Sequence, residues 1–193
     1  MRNFYKYIIA IVIGTLVGII TLIGQKYLPI NFNFLANSGA IWLIPAFLIS
    51  CYFNLRKKQS IYISIICLLS CVLGYYIFES TFNSHSFLIS RLMVIWILCA
   101  IVGGVIIGFG AYFFNNDKAL LKKISSNLLP AVFISEGINK LIHINSYKHM
   151  IPAIIMIICI GLLLYFFINK KDILKRQNII TFVSLCILGI CFY

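Results

Sequence analysis

The chain has 193 residues, of which 62% are hydrophobic and 10% charged, and its formal net charge is +12. Soluble domains are about half apolar and about a quarter charged, so a soluble fold of this length would leave much apolar surface in water. The composition therefore predicts an integral membrane protein, with one transmembrane domain over residues 1–193. The basic residues form small clusters between apolar runs, which excludes a nucleic-acid-binding face and indicates contact with a lipid bilayer.

In chain order, six runs have about the 20 apolar residues that a membrane-spanning helix needs. They cover about 5–27, 38–55, 60–79, 90–114, 150–169 and 178–193. A seventh stretch, about 126–143, contains Glu136 and Lys140. As a helix it would be only about 24 Å long, against about 30 Å for the hydrocarbon core of a bilayer. The sequence predicts an all-α transmembrane bundle of about seven helices, or six if 126–143 does not span.

The distribution of Lys and Arg favours seven helices. With seven spans and the N-terminus inside, twelve basic residues lie on the inner side and four on the outer side. Without 126–143 as a span, the distribution weakens to ten and six. Basic residues concentrate on the cytoplasmic side of membrane proteins, so we expect the N-terminus inside and the C-terminus outside.

The connection between the first two runs, Gln25–Ala40, contains several large apolar residues besides its turn-forming ones. It is therefore expected to lie at the membrane interface or to fold back onto the bundle. Trp42 and Tyr75 lie near predicted helix ends, where aromatic belts form.

Two helices have stripes of small residues, which allow close approach of a neighbouring backbone. The first helix carries Ala10, Gly14 and Gly18, and the fourth carries Ala100, Gly104 and Gly108. The stripes predict helix-packing surfaces, and they offer a route to a homo-oligomer or a membrane partner. The similar strings "LIPAFLIS" (Leu43–Ser50) and "LLPAVFIS" (Leu128–Ser135) raise a second hypothesis, an inverted repeat relating helices 1–3 to helices 4–6.

Glu136 is an acidic residue within a predicted span, where a charge costs roughly 2.5–3.5 kcal/mol on insertion scales. Such residues face the bundle interior and have partners. Helical spacing places Asn139 at i+3, Lys140 at i+4 and His143 at i+7. These residues form either a binding site for a cation, a cationic substrate or a proton, or a structural site with a Glu136–Lys140 ion pair.

The local helix boundary and one further cation complete this prediction. Asn127 is expected to cap the helix, which places Pro130 in its first turn. Arg91, at the outer start of the fourth helix, is expected to anchor that helix at the interface or to pair with Glu79 or Glu136.

No catalytic motif occurs, and an enzyme is therefore disfavoured. His85, His143 and His149 fall on the outer side without a recognised ligand spacing, so we expect no metal and no cofactor. The seven cysteines lie in apolar runs without a CxxC pair, which is typical of small buried apolar residues.

Two functions fit these features. The first is a transporter of a small molecule or an ion, or a membrane-embedded substrate-binding subunit of a larger transporter. The second is a non-transporting accessory, assembly or immunity-type protein that acts through helix contacts.

Three strings carry a resemblance to a known family: "FLANSGAIWLIPAFLIS" (Phe34–Ser50), "LGYYIFES" (Leu73–Ser80) and "LLPAVFISEGINKL" (Leu128–Leu141). They resemble a family of small bacterial multi-pass membrane proteins of unknown function, which implies a location in the bacterial cytoplasmic membrane. The stripe on the first helix also resembles the substrate-capture subunits of energy-coupling-factor transporters, although those usually have six helices.

Overall fold

The computed structural model describes residues 4–82, 89–116, 119–170 and 173–192, and within them it contains α-helices and no strand. The all-α prediction is confirmed. The long helices are α1 (Phe4–Tyr27), α3 (Gly39–Tyr52), α4 (Lys57–Phe82), α5 (Arg91–Phe114), α6 (Ala119–Ile142), α8 (Ile151–Ile168) and α9 (Arg176–Phe192). Short turns of helix lie between some of them: α2 (Asn33–Ala36), α7 (Ile144–Tyr147) and the 3-10 helix Lys148–Met150.

Five helical segments are long and apolar enough to cross a membrane, counted over the described residues: Phe4–Tyr27, Asn33–Tyr52, Lys57–Phe82, Arg91–Phe114 and Ile144–Ile168. Arg176–Cys191 is a shorter apolar helix. The chain is therefore a multi-pass membrane protein. Large apolar side chains on the outside of the bundle, among them Leu16 and Phe167, are more than half exposed in the absence of lipid.

The helix around Glu136 is longer than the sequence indicated. α6 begins at Ala119, about two turns before the expected start, and its 24 residues span about 36 Å. The expected cap at Asn127 is wrong, because Asn127 and Pro130 both lie inside the helix. Polar residues in this added part lower its hydropathy, and the apolar run therefore seemed to begin later. The added part is helical nevertheless, because α6 packs against α3, α5, α8 and α9.

The two small-residue stripes pack against the same helix, α4. A Cβ added at Gly18 of α1 would overlap the carbonyl oxygen of Cys71, and one added at Gly108 of α5 would lie 2.5 Å from the Cα of Ile61. α4 thus lies between α1 and α5, and it covers the glycines of both stripes within one chain. In the inverted repeat, α5 would correspond to α1 and α8 to α4, so the stripe of α5 would pack against α8. The glycines of that stripe pack against α4 instead.

Long helices that follow each other in the chain run antiparallel, as the contacts of Gly104 with Ile65 and of Gly108 with Ile61 show for α5 and α4. The start of α5 and the end of α6 meet at one end of the bundle, where both line a cavity. The end of α5 and the start of α6 meet at the other end. In the expected orientation, the end where α5 begins and α6 ends is the outer end of the bundle, and the end where α5 ends and α6 begins is the inner end.

Candidate functional site

The second membrane-spanning segment is interrupted near its outer end. Asn37 and Ser38 separate α2 from α3, and Ser38 is the N-cap residue of α3 with extended backbone angles (φ −72°, ψ 120°). A serine in this position usually accepts a hydrogen bond from its own helix. The Ser38 side chain makes no such bond, so the first N–H groups of α3 need another acceptor.

Glu136 of α6 supplies that acceptor. Its Oε2 atom accepts a 2.8 Å hydrogen bond from the Ser38 hydroxyl and a 3.1 Å bond from the backbone N–H of Ala40. The N–H of Gly39 also interacts with the carboxylate. A helix N-terminus carries about half a positive charge, which favours an anion there. Glu136, only 4% exposed, is therefore partnered by a helix end from a distant part of the chain.

Lys140 is partnered by aromatic rings. Its Nζ donates a 3.1 Å hydrogen bond to the Tyr147 hydroxyl. It also lies 4.3 Å from the ring centroid of Tyr147 and 5.3 Å from that of Phe34. The hydrogen-bond partners of Glu136 lie on α3 and at its N-cap, and Lys140 also acts on the carboxylate through its charge.

A cavity of about 640 Å³ opens beside these two side chains. It is bounded by the α2–α3 break, α5, the end of α6 and the α7 region. Its lining residues are Asn33, Phe34, Asn37, Gly39, Trp42, Leu43, Leu68, Trp96, Cys99, Ala100, Gly103, Glu136, Lys140, Tyr147 and Met150. Small-molecule sites in proteins have this combination of apolar and aromatic walls with a few polar groups, and this range of volumes.

Both tryptophans of the chain line this cavity. Their ring centroids are 5.3 Å apart, and the indole N–H of Trp42 donates a 2.9 Å hydrogen bond to Thr21 of α1. Trp42 is 7% exposed, so its expected place in an aromatic belt is wrong. It forms part of the cavity wall instead.

The other residues predicted to bind a ligand, Asn139, His143 and Arg91, lie outside the cavity lining. The ring Nδ1 of exposed His143 is 3.0 Å from the carbonyl oxygen of Asn139. Arg91 is exposed at the start of α5, where Ser90 caps the helix, and Arg91 is not among the groups acting on Glu136. No group of three metal-ligand side chains occurs in the described part of the chain. His85 lies outside the described residues.

Several residues of the site gave no signal in the sequence. Ser38 and Trp96 lie in separate apolar or loop segments, and only the packing of α3, α5 and α6 brings them together. Tyr147 lies seven residues after Lys140, a spacing that would place both on one face of a continuous helix. The chain leaves α6 at Ile142, however, so the contact depends on the turn into α7.

The sequence was also compared with known proteins. The model of a family of unknown function (DUF6518) matches residues 1–193. No curated protein and no solved structure matches the chain. The family match confirms the resemblance to a family of unknown function, and it supplies no activity or ligand.

Proposed function

The chain belongs to the family of unknown function DUF6518, and on that premise we propose that it is a membrane-embedded binding or carrier protein for a small amphipathic molecule. The bacterial cytoplasmic membrane, with the N-terminus inside, is the location proposed with it. The observation that carries the proposal is the cavity of about 640 Å³ that reaches both Glu136 and Lys140.

The hydrogen bonds in the cavity favour Lys140 over Glu136 as the ligand contact. Glu136 already accepts two hydrogen bonds at one oxygen atom. An ammonium group has three donors, and Lys140 directs one of them to Tyr147. The geometry therefore supports a ligand with an anionic group at Lys140, in place of the cationic ligand at Glu136 that the sequence suggested.

The walls of the cavity support an apolar or aromatic body for the same ligand. Trp42 and Trp96 form one wall, and aromatic faces bind rings and acyl groups through large contact areas. Asn33 and Asn37, near the outer opening, supply polar contacts.

The alternative of an accessory protein acting through helix contacts has less support. Its most specific basis was the pair of small-residue stripes, which α4 covers within the chain. A homo-oligomer or membrane partner would have to use another surface of the bundle.

Tryptophan fluorescence can test the proposal, because both tryptophans report on the cavity. The purified protein is titrated with 4-bromobenzoate, whose bromine quenches nearby indoles, and with uncharged 4-bromobenzamide. We expect saturable quenching by 4-bromobenzoate. Lys140→Ala should weaken its binding by about ten- to a hundredfold, as loss of a charged hydrogen bond of about 1.5–3 kcal/mol implies. Binding of 4-bromobenzamide should change little.

Lys148→Ala is the matched control, since Lys148 is exposed at the same end but does not line the cavity. This variant should bind 4-bromobenzoate like the unmodified protein. Equal quenching by both compounds in all variants would overturn the assignment of Lys140. Linear, unsaturable quenching would overturn the binding cavity itself.

A further inference from the structure

A second pocket, of about 590 Å³, lies at the inner end of the bundle. It is formed by the end of α5, the start of α6, the end of α8 and the start of α9. It is separate from the cavity at Glu136, because α6 contributes to it through residues near Ala119 and to the outer cavity through its other end.

The pocket is basic. Lys122, Lys123 and Lys170 line it, and the described residues that line it include no acid. The adjoining sequence, 115–123 and 169–177, contains seven basic residues and two acidic ones, Asp117 and Asp172, which lie outside the described residues. The local charge is therefore strongly positive, whatever the positions of the two aspartates.

Two asparagine side chains, Asn169 and Asn178, form the polar floor of this pocket and are held by hydrogen bonds. Asn178 is fully buried and Asn169 is 6% exposed. The side-chain amide of Asn169 donates to the Oδ1 of Asn127 at 3.2 Å, and that of Asn178 donates to the Tyr165 hydroxyl at 3.3 Å. These bonds join α6, α8 and α9, so the floor keeps its shape without a ligand.

One lysine is also held by a specific contact at the edge of the pocket. The Nζ of Lys123 donates a 2.6 Å hydrogen bond to Gln177 at the start of α9. This contact orders the ammonium group between two helices, and within the described part of the chain it uses one of the three donors of that group.

The remaining wall is apolar and faces the expected position of lipid. Phe114, Phe167 and Ile168 line the pocket, and Phe167 is 66% exposed. The ammonium group of Lys170 lies 5.1 Å from the Phe167 ring centroid. A cationic group and an exposed apolar surface thus adjoin each other at the inner end.

From this arrangement we infer that the inner pocket binds the headgroup of an anionic phospholipid, with the lysines contacting the phosphate and an acyl chain lying along Phe167. Basic pockets between transmembrane helices on the cytoplasmic side bind such headgroups. A free phosphate ion would use the lysines and the polar floor, but it would gain nothing from the apolar wall. The combination of walls therefore selects an amphiphile.

Native mass spectrometry of the full chain in detergent can test this inference. Phosphatidylglycerol and phosphatidylcholine with identical acyl chains are offered together, and the ratio of the bound species is measured. The unmodified protein should retain phosphatidylglycerol preferentially. The triple variant Lys122→Gln, Lys123→Gln, Lys170→Gln should lose this preference by at least about tenfold, because each lysine contributes to binding of anionic lipid.

Two further variants separate a site from a general effect of charge. The control Arg56→Gln, Lys57→Gln, Lys58→Gln removes the same charge at the inner end, outside the pocket, and should keep the preference. Replacement of the three pocket lysines by arginine should also keep it. Equal loss in both glutamine variants, or no preference in the unmodified protein, would overturn the inference.

Competition by inorganic phosphate tests whether the pocket binds a lipid headgroup or a free phosphate ion. At millimolar concentration it should leave the bound phosphatidylglycerol in place, because it cannot use the apolar wall. Complete displacement by inorganic phosphate at this concentration would show a phosphate-ion site and overturn the assignment to lipid.

Discussion

The hydroxyl of Ser38 donates a 2.8 Å hydrogen bond to Glu136, a residue 98 positions later in the chain. The same carboxylate oxygen accepts a hydrogen bond from the N–H of Ala40. Glu136 therefore takes the role of an N-cap for α3, although it belongs to α6. This contact fixes the α2–α3 break against α6 and thereby fixes one wall of the outer cavity.

Replacement of Glu136 should reduce stability more than it reduces ligand binding at Lys140. Glu136→Ala leaves the buried Ser38 hydroxyl and the Ala40 N–H without their acceptor, and we expect a loss of about 2–3 kcal/mol in the free energy of unfolding. Glu136→Gln keeps one acceptor oxygen and should lose about 1 kcal/mol. Unfolding in mixed micelles with increasing SDS measures both values.

Glu79→Gln is the control for the Glu136 variants, because Glu79 is the other acidic residue that the structure describes and it does not line the cavity. Its effect should stay within about 0.5 kcal/mol. Glu136→Gln should also bind 4-bromobenzoate with nearly unchanged affinity. If Glu136→Gln is as stable as the unmodified protein and no longer binds the probe, Glu136 is a ligand contact and not a structural cap.

The place of Glu136 shows what the sequence can and cannot predict. Hydropathy predicted the order of the long helices, because it is a local pattern, and the distribution of basic residues over all the loops favoured seven of them. Helical spacing proposed Lys140 as the partner of Glu136, since i+4 neighbours share a helix face. The actual hydrogen-bond partners, Ser38 and Ala40, are set by the packing of α3 on α6, which no local pattern encodes.

Gly18→Ala should destabilise the packing of α1 on α4. The added methyl group would overlap the Cys71 carbonyl oxygen, and the nitrogen of Tyr75 would lie 2.7 Å from it. Both neighbours are backbone atoms that cannot move aside easily, so we expect a loss of about 1–3 kcal/mol in the free energy of unfolding. The same SDS titration measures it.

Gly39→Ala is a matched control for Gly18→Ala, because a Cβ at Gly39 meets nothing within 4 Å. Its backbone has no positive φ, and alanine is the better helix former. This variant should be as stable as the unmodified protein or slightly more stable. Equal stability of Gly18→Ala and Gly39→Ala would contradict the close packing of α1 on α4.

Asn127→Ala should destabilise the inner end of the bundle. The Asn127 side chain is fully buried and donates a 2.7 Å hydrogen bond to Asn178 while it accepts one from Asn169. Its removal leaves both partners with unsatisfied groups, at a cost of about 1–3 kcal/mol.

Asn145→Ala, at an exposed position, should change stability by less than about 0.5 kcal/mol. Similar values for the two variants would mean that the asparagine network does not join these helices.

Access of water to the outer cavity can be tested with two cysteines at the same position along their helices, α5 and α8. Cys99 lies eight residues after the start of α5 and lines the cavity. Cys159 lies eight residues after the start of α8, is exposed and is absent from the cavity lining. Both are therefore about 12 Å along α5 and α8 from the first residue of each helix. Both are exposed, and they differ in that only Cys99 lines the cavity.

The most direct measurement is labelling of these thiols in intact cells with a charged, membrane-impermeant reagent added outside. Each variant keeps one of the two cysteines, and the other six are replaced by alanine or serine. Because a thiol must ionise in water to react, the Cys99 variant should be labelled and the Cys159 variant should not. Labelling of Cys99 only after the cells are opened, or equal labelling of both variants, would contradict a water-accessible cavity at the outer end.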